Sequence, residues 1–315
     1  MCLGADPDGE GSAFATLVRA AAPTAAESAS KRAVLAVHGF TDYFFQSELA
    51  THFTTRGYRF YGVDLRKCGR SRRGGQTPHF ITDLADYDIE LNLALSAIRS
   101  ENPDSEVLVY GHSTGGLVAS LWMDRLRQQH QITTLGITAA VFNSPFTDLT
   151  GPGILRTRAF ALAVAGLARL TPTRVVRHPG PGGYGLTLHQ DYDGEFEYDL
   201  RWKPLCGFPI TAGWFTAIRR GQTRLHRGLD VGVPNLVLHS DHSVAGSATT
   251  ATMQRGDAVL DVAQIAQWAG SLGNRQRVVA VPDAKHDVFL SLPTPRAAAY
   301  RELDRWLDSL DGLSS

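Results

Sequence analysis

Three cysteines in 315 residues, at positions 2, 68 and 206, are too few and too scattered for a disulfide framework or a metal-ligand spacing. A reducing cytoplasm is the expected home. Neither charge sign is in excess. Lysine plus arginine and aspartate plus glutamate both number 31, so the chain as a whole carries no electrostatic footprint for nucleic acid or anionic lipid. Long apolar runs are missing too. The longest, over 159–168, is about half of what an integral membrane segment needs. The opening M-C-L-G-A-D-P-D-G-E is acidic and has no apolar stretch of the secretory type. No repeat of fixed period is visible. What remains is a chain long enough for one large core, with room for an insertion.

Short apolar runs alternate with segments of helical periodicity. Strands are expected over 14–19, 33–38, 60–64, 107–111, 137–143, 235–239 and 277–281. Helices are expected over 47–55, 83–99, 115–129, 261–272 and 295–310. Strand followed by helix, repeated, predicts an α/β fold whose mostly parallel sheet is flanked by helices. Ligands bind such sheets at the carboxyl ends of the strands. The rhythm breaks over 146–230, which reads as a cap inserted into a core formed by 1–145 and 231–315. This stretch holds an Ala/Leu-rich helical piece over 158–169, P-G-P-G-G-Y-G at 179–185 and D-Y-D-G-E-F-E-Y-D at 191–199.

V-L-V-Y-G-H-S-T-G-G, residues 107–116, carries the chemistry. G-x-S-x-G alone is a weak signal. Between a strand and a helix it predicts a sharp turn that lifts the Ser113 hydroxyl above the sheet, with glycines relieving the crowding. Ser113 is therefore the candidate nucleophile. His112 is next to it but points elsewhere on so tight a turn, and it is expected to bond nearby backbone. The candidate base is His286, in the loop after the last strand. H-G-F at 38–40 ends an early strand. The backbone N–H groups of Phe40 and of Thr114 are candidates for an oxyanion hole.

These residues together resemble the α/β-hydrolase superfamily. Within it they are similar to the branch of monoglyceride lipases, lysophospholipases and serine aminopeptidases. The carriers are H-G-F at 38–40, D-L-R-K-C-G-R-S at 64–71, G-H-S-T-G-G at 111–116, D-A-V-L-D at 257–261 and A-K-H-D at 284–287. The resemblance implies an eight-stranded, mostly parallel sheet with a lid inserted after the sixth strand. It implies no organic cofactor and no metal. Lys67 and Cys68 depart from the glycine and histidine often found in that loop, and 240–256 is longer than the usual connection.

Three carboxylates follow the 235–239 strand. Asp261 reads as a helix N-cap. Asp257 matches the acid loop by resemblance, and Asp241, nearest the strand end, is the alternative acid. Other constellations carry less. In D-Y-D-G-E-F-E-Y-D the glycine falls at the fourth position, where a calcium loop wants it at the sixth. Lys67 is expected to be solvated and Cys68 to pack. Aromatics concentrate in the insertion, and Tyr198 and Trp214 are candidate substrate contacts. The expectation is a serine hydrolase acting on a small neutral or apolar carboxylic ester. Amide, thioester or lactone hydrolysis, acyl transfer, or ligand binding without turnover are the alternatives.

Overall fold

The computed structural model describes residues 1–20, 30–180 and 183–311. The chain begins with a ribbon of β1 (Cys2–Ala5) and β2 (Ser12–Phe14). It then enters the main sheet through β3 (Thr16–Arg19) and β4 (Arg32–Val37). Helix α1 (Ser47–Thr55) leads to β5 (Arg59–Asp64), and α2 (Asp88–Glu101) leads to β6 (Glu106–His112). After α3 (Thr114–Gln128) and β7 (Ile137–Asn143) the chain leaves the sheet. It forms α4 (Arg158–Leu170), β8 (Val175–Arg177), α5 (Gly183–Leu186), β9 (Ile210–Thr211) and α6 (Ala212–Leu225). The sheet is resumed by β10 (Asn235–Ser240). The chain finishes with α7 (Thr250–Met253), α8 (Val262–Ala269), β11 (Gln276–Val281) and α9 (Pro293–Asp311).

The sheet order is β11-β10-β7-β6-β4-β5-β3, with β3 antiparallel and every other pairing parallel. Its central strands read as continuous apolar runs because both faces are covered. In β4, Ala33, Leu35 and Val37 enter one apolar cluster while Val34 and Ala36 enter the other. In β6, Val107 and Val109 face the first cluster, and Leu108 and Tyr110 face the second. The period of two thus splits each strand between two cores. Leu91, Leu95 and Ile98 of α2, with Leu117, Leu121 and Trp122 of α3, cover one face. Phe53 of α1 and Leu303, Trp306 and Leu307 of α9 cover the other.

Seven strands, not eight, form this sheet among the described residues. The segment expected as one strand over 14–19 divides at Ala15. Its first part pairs in the separate β1–β2 ribbon. The ribbon is held by Lys67 instead of by a sheet edge. Its loop places Asp6, Asp8 and Glu10 at 2.6, 3.4 and 3.3 Å from the Lys67 ammonium. Lys67 is consequently buried, contrary to the expectation of a solvated side chain, since three carboxylates replace its water. Cys68 is also buried, and burial pushes its thiol well above the usual range.

The chain leaves the sheet after β7, the fifth sheet strand in chain order among the described residues, where the resemblance implies the sixth. The last helix of the insertion is not peripheral. Trp214, Ala217, Ile218 and Leu225 of α6 join the main apolar cluster, with Thr211 capping the helix at Trp214 N–H. By contrast, α4 packs against α6 through Val164 and Phe160 and is exposed elsewhere.

Candidate active site

Residue 113 joins β6 to α3 with φ 54° and ψ −119°, a conformation that costs a non-glycine residue about 1–3 kcal/mol. Surrounding structure holds it there. Ser113 N–H donates to Asn143 O (2.9 Å), while its carbonyl accepts from Phe146 N–H (3.0 Å). The turn packs so closely that a Cβ on Gly115 would lie 2.4 Å from the carbonyl oxygens of Val37 and His38. Ser113 stands at the positive end of α3, where developing negative charge is favoured.

The 38–42 loop lies against this elbow. A Cβ on Gly39 would sit 3.0 Å from Ser113 Cβ, so only glycine lets the backbone before Phe40 come this near. His38 fixes the loop. Leu65 N–H donates to His38 Nε2 (3.1 Å), which leaves Nδ1 protonated and donating to Gly39 O (2.8 Å). Thr114, the first residue of α3, flanks the serine on the other side. The Phe40 ring packs on Trp214, with centroids 4.3 Å apart, and Trp214 stacks on Phe146 at 6.4 Å.

After β11 the chain returns to the same end of the sheet. His286 Nδ1 lies 2.9 Å from Asp257 Oδ2, and both side chains are buried. Asp257 Oδ1 accepts from the Val259 and Leu260 N–H groups at 2.8 and 2.7 Å. A carboxylate accepts only, so Nδ1 carries the imidazole proton and Nε2 is left as the acceptor. His286 Nε2 is buried with no hydrogen-bond partner among the described residues. Such an orphan costs about 1–3 kcal/mol and marks a place where a further group belongs.

The long 240–256 connection runs out through α7 and comes back. Asp257 N–H donates to His242 O (3.0 Å) and Val244 N–H to Asp257 O (2.9 Å), returning Asp257 to the strand end. Asp241 faces outward, with Oδ1 bound to Asp283 N–H (3.0 Å) and beside His242 Nδ1 (2.7 Å). Asp261 caps α8 at Ala263 N–H. The His112 ring centroid is 4.9 Å from that of His286, but His112 Nδ1 is spent on Asn143 O (3.1 Å). Burial, aided by the neighbouring His286, pushes the His112 imidazole below its usual range.

Tyr198 is not brought to the elbow. It packs with Tyr43, Leu188 and Leu290, and its hydroxyl donates to Gly185 O (3.2 Å).

A family model described as serine aminopeptidase, S33, matches residues 28–289. The chain belongs to that family. Solved structures of the same α/β-hydrolase fold agree in shape at low identity. A soluble variant of monoglyceride lipase from Saccharomyces cerevisiae, in complex with a substrate analogue, superposes with a TM-score of 0.67 at 16% identity. That match covers 94% of this chain and 91% of the lipase. The monoacylglycerol lipase of Paleococcus ferrophilus gives 0.66 at 15%, covering 94% and 99%. Est1E from Butyrivibrio proteoclasticus, with ferulic acid bound, gives 0.55 at 15%, covering the whole of both chains. No curated protein matches the sequence significantly.

Within this S33 hydrolase, several polar residues meet around the elbow whose pairing no sequence pattern gives. Asp42 is buried and pairs with Lys203 of the insertion (2.9 Å). Burial pushes its carboxyl up, but Lys203, His112 and His38 outweigh that and hold it below the usual range. Asn143 Nδ2 donates to Asp287 Oδ1 (2.7 Å) and to the Tyr110 hydroxyl (2.8 Å), tying the His286 loop to two strand ends. The Tyr184 hydroxyl accepts from Asp287 N–H (3.0 Å), and its ring meets His286 edge-on at 5.9 Å. The sequence signal is position: Asn143 closes the strand expected over 137–143 and Asp287 closes A-K-H-D.

Proposed function

We propose that the protein is a serine esterase in which Ser113, His286 and Asp257 act as a triad. The observation that carries this reading is the oriented imidazole. Its Nδ1–H is held by Asp257, its Nε2 has no hydrogen-bond partner among the described residues, and the strained Ser113 elbow lies at the same end of the sheet. His286 takes the Ser113 hydroxyl proton as Oγ attacks the ester carbonyl, and Asp257 stabilises the imidazolium that forms. The Phe40 and Thr114 N–H groups stabilise the oxyanion. The imidazolium then gives its proton to the leaving alcohol, and water repeats the sequence on the acyl-enzyme.

Residues 146–230 serve as the cap in this reading. Trp214 shapes the acyl pocket with Phe40 and Phe146, and Tyr184 and Lys203 contact the His286 and 38–42 loops. The aromatic surface of Phe40, Trp214 and Phe146 supports a neutral ester. Cleavage next to a free N-terminal ammonium asks for an unpaired carboxylate at the site, and Asp42 is already neutralised by Lys203. That favours ester over aminopeptidase chemistry.

A fluorophosphonate probe and a panel of p-nitrophenyl esters, with an aminoacyl anilide beside them, test the proposal. The expected result is labelling of one serine, lost in Ser113→Ala, with ester turnover exceeding anilide turnover. Folded protein that neither labels nor hydrolyses any ester would leave a ligand-binding protein of this fold.

A further inference from the structure

The balanced overall charge conceals a strong local imbalance. From residue 149 to residue 190 the chain contains five arginines, at 156, 158, 169, 174 and 177, and no aspartate or glutamate. Arg158, Arg169, Arg174 and Arg177 are exposed. No ion pair involves any of the four among the described residues, although charge pairs are abundant elsewhere in the molecule.

The same segment presents apolar side chains to solvent. Helix α4 buries one stripe, Phe160, Val164 and Ala168, against Phe215 and Leu149. Its opposite face should be polar in a water-facing helix. Instead, Ala159, Leu162, Ala163, Gly166 and Leu170 recur at helical spacing on the outside. Leu162 is 73% exposed and Leu170 84% exposed, and Ile154, just before the helix, is 64% exposed. Arg158 and Arg169, eleven residues apart, project from one edge of this apolar face. An exposed apolar stripe, edged by cations that form no ion pair among the described residues and lying in a segment without acids, matches a surface that offers both hydrocarbon and negative charge.

We infer that the outer face of α4, with the arginines around it, docks the protein on an anionic phospholipid bilayer. Leu162 and Leu170 enter the acyl boundary, while the four exposed arginines lie at the headgroup phosphates. The whole-chain charge argues against a lipid partner only when averaged. A membrane meets one face of a protein, and the field of that face decays within about 10 Å. This inference does not rest on the esterase reading, because it concerns surface binding and not the site.

Co-sedimentation of the full chain with vesicles tests it. The vesicles are phosphatidylcholine alone, or phosphatidylcholine with a minor fraction of phosphatidylglycerol. The expected result is binding to the anionic vesicles at low salt, weaker binding to the neutral ones, and release at about 0.5 M salt. Replacing Arg158, Arg169, Arg174 and Arg177 by Gln should lower partitioning by at least about 100-fold. Leu162→Gln with Leu170→Gln should also abolish binding. Both variants should keep the circular dichroism and the soluble-ester activity of the parent, so that loss of binding is separable from loss of fold or of catalysis. Absence of parent binding to anionic vesicles would overturn the inference. So would a parent dimer in solution that the two leucine substitutions convert to monomer, since a second copy would then be the occupant of this face.

Discussion

Asp257→Asn is the substitution whose outcome the geometry determines most closely. Asp257 Oδ1 takes two backbone N–H groups, from Val259 and Leu260, and Oδ2 takes the His286 Nδ1 proton. An asparagine here has one acceptor oxygen, and two fixed amide donors claim it. The new NH2 is thereby forced to face His286 and can only donate. Nδ1 must then become the acceptor, and the imidazole proton moves to Nε2, the nitrogen that receives the Ser113 proton in the proposed triad. The variant has the wrong tautomer and also lacks the charge that stabilises the imidazolium. The expected loss is about three to four orders of magnitude in kcat. The fold should survive, since both backbone hydrogen bonds remain and one charge-assisted bond, worth about 1.5–3 kcal/mol, is weakened. Hydrolysis of p-nitrophenyl butyrate, with circular dichroism and urea midpoints as folding controls, measures both. Asp241→Asn removes a solvent-exposed carboxylate bound to Asp283 N–H, and Asp261→Asn keeps a good cap, so both should stay within a few-fold of the parent. Folded Asp257→Asn with near-parental turnover, or a crippled Asp241→Asn, would refute the reasoning.

At Gly115 any side chain meets backbone oxygen at 2.4 Å, so Gly115→Ala should cost at least the ~1–3 kcal/mol of an overpacked core and displace Ser113, read as a lower urea midpoint and lost fluorophosphonate labelling. Lys285 is buried with its amine on Thr187 O, and burial brings its pKa down from 10.5 to about 8. The unfolded chain therefore binds more protons between those values, so stability rises with pH. Between pH 7 and pH 9.5 the parent should gain about 2 kcal/mol relative to Lys285→Met in urea titrations, and parallel curves would contradict this. Trp214→Leu should shift acyl-length preference across the ester panel. Tyr198→Ala should lower stability by about 3–5 kcal/mol and leave that preference unchanged, because Tyr198 packs away from the elbow.

Local pattern was sufficient for the sheet. The apolar runs of the central strands, buried on both faces, have no other stable place, and each of the seven expected strands contributes to a sheet strand. The strand–serine–helix turn was legible for a similar reason, because its glycines are required by contacts within a few residues of the elbow or with the adjacent strand. Family membership followed from motifs of this local kind. Helix α6 is absent from the expected helices, although Trp214, Ala217, Ile218 and Leu225 have helical spacing, because the segment lies inside the stretch set apart as an insertion. Tertiary structure alone decided the rest. Asp241 and Asp257 both follow β10, and only the closing of the 243–257 bridge turns one toward His286 and leaves the other in water. Lys67 reads as a surface residue until the N-terminal loop, some sixty positions earlier, lays three carboxylates over it. Periodicity is a property of neighbours along the chain. The environment of a charge is set by segments far apart in sequence, whose approach no local pattern encodes.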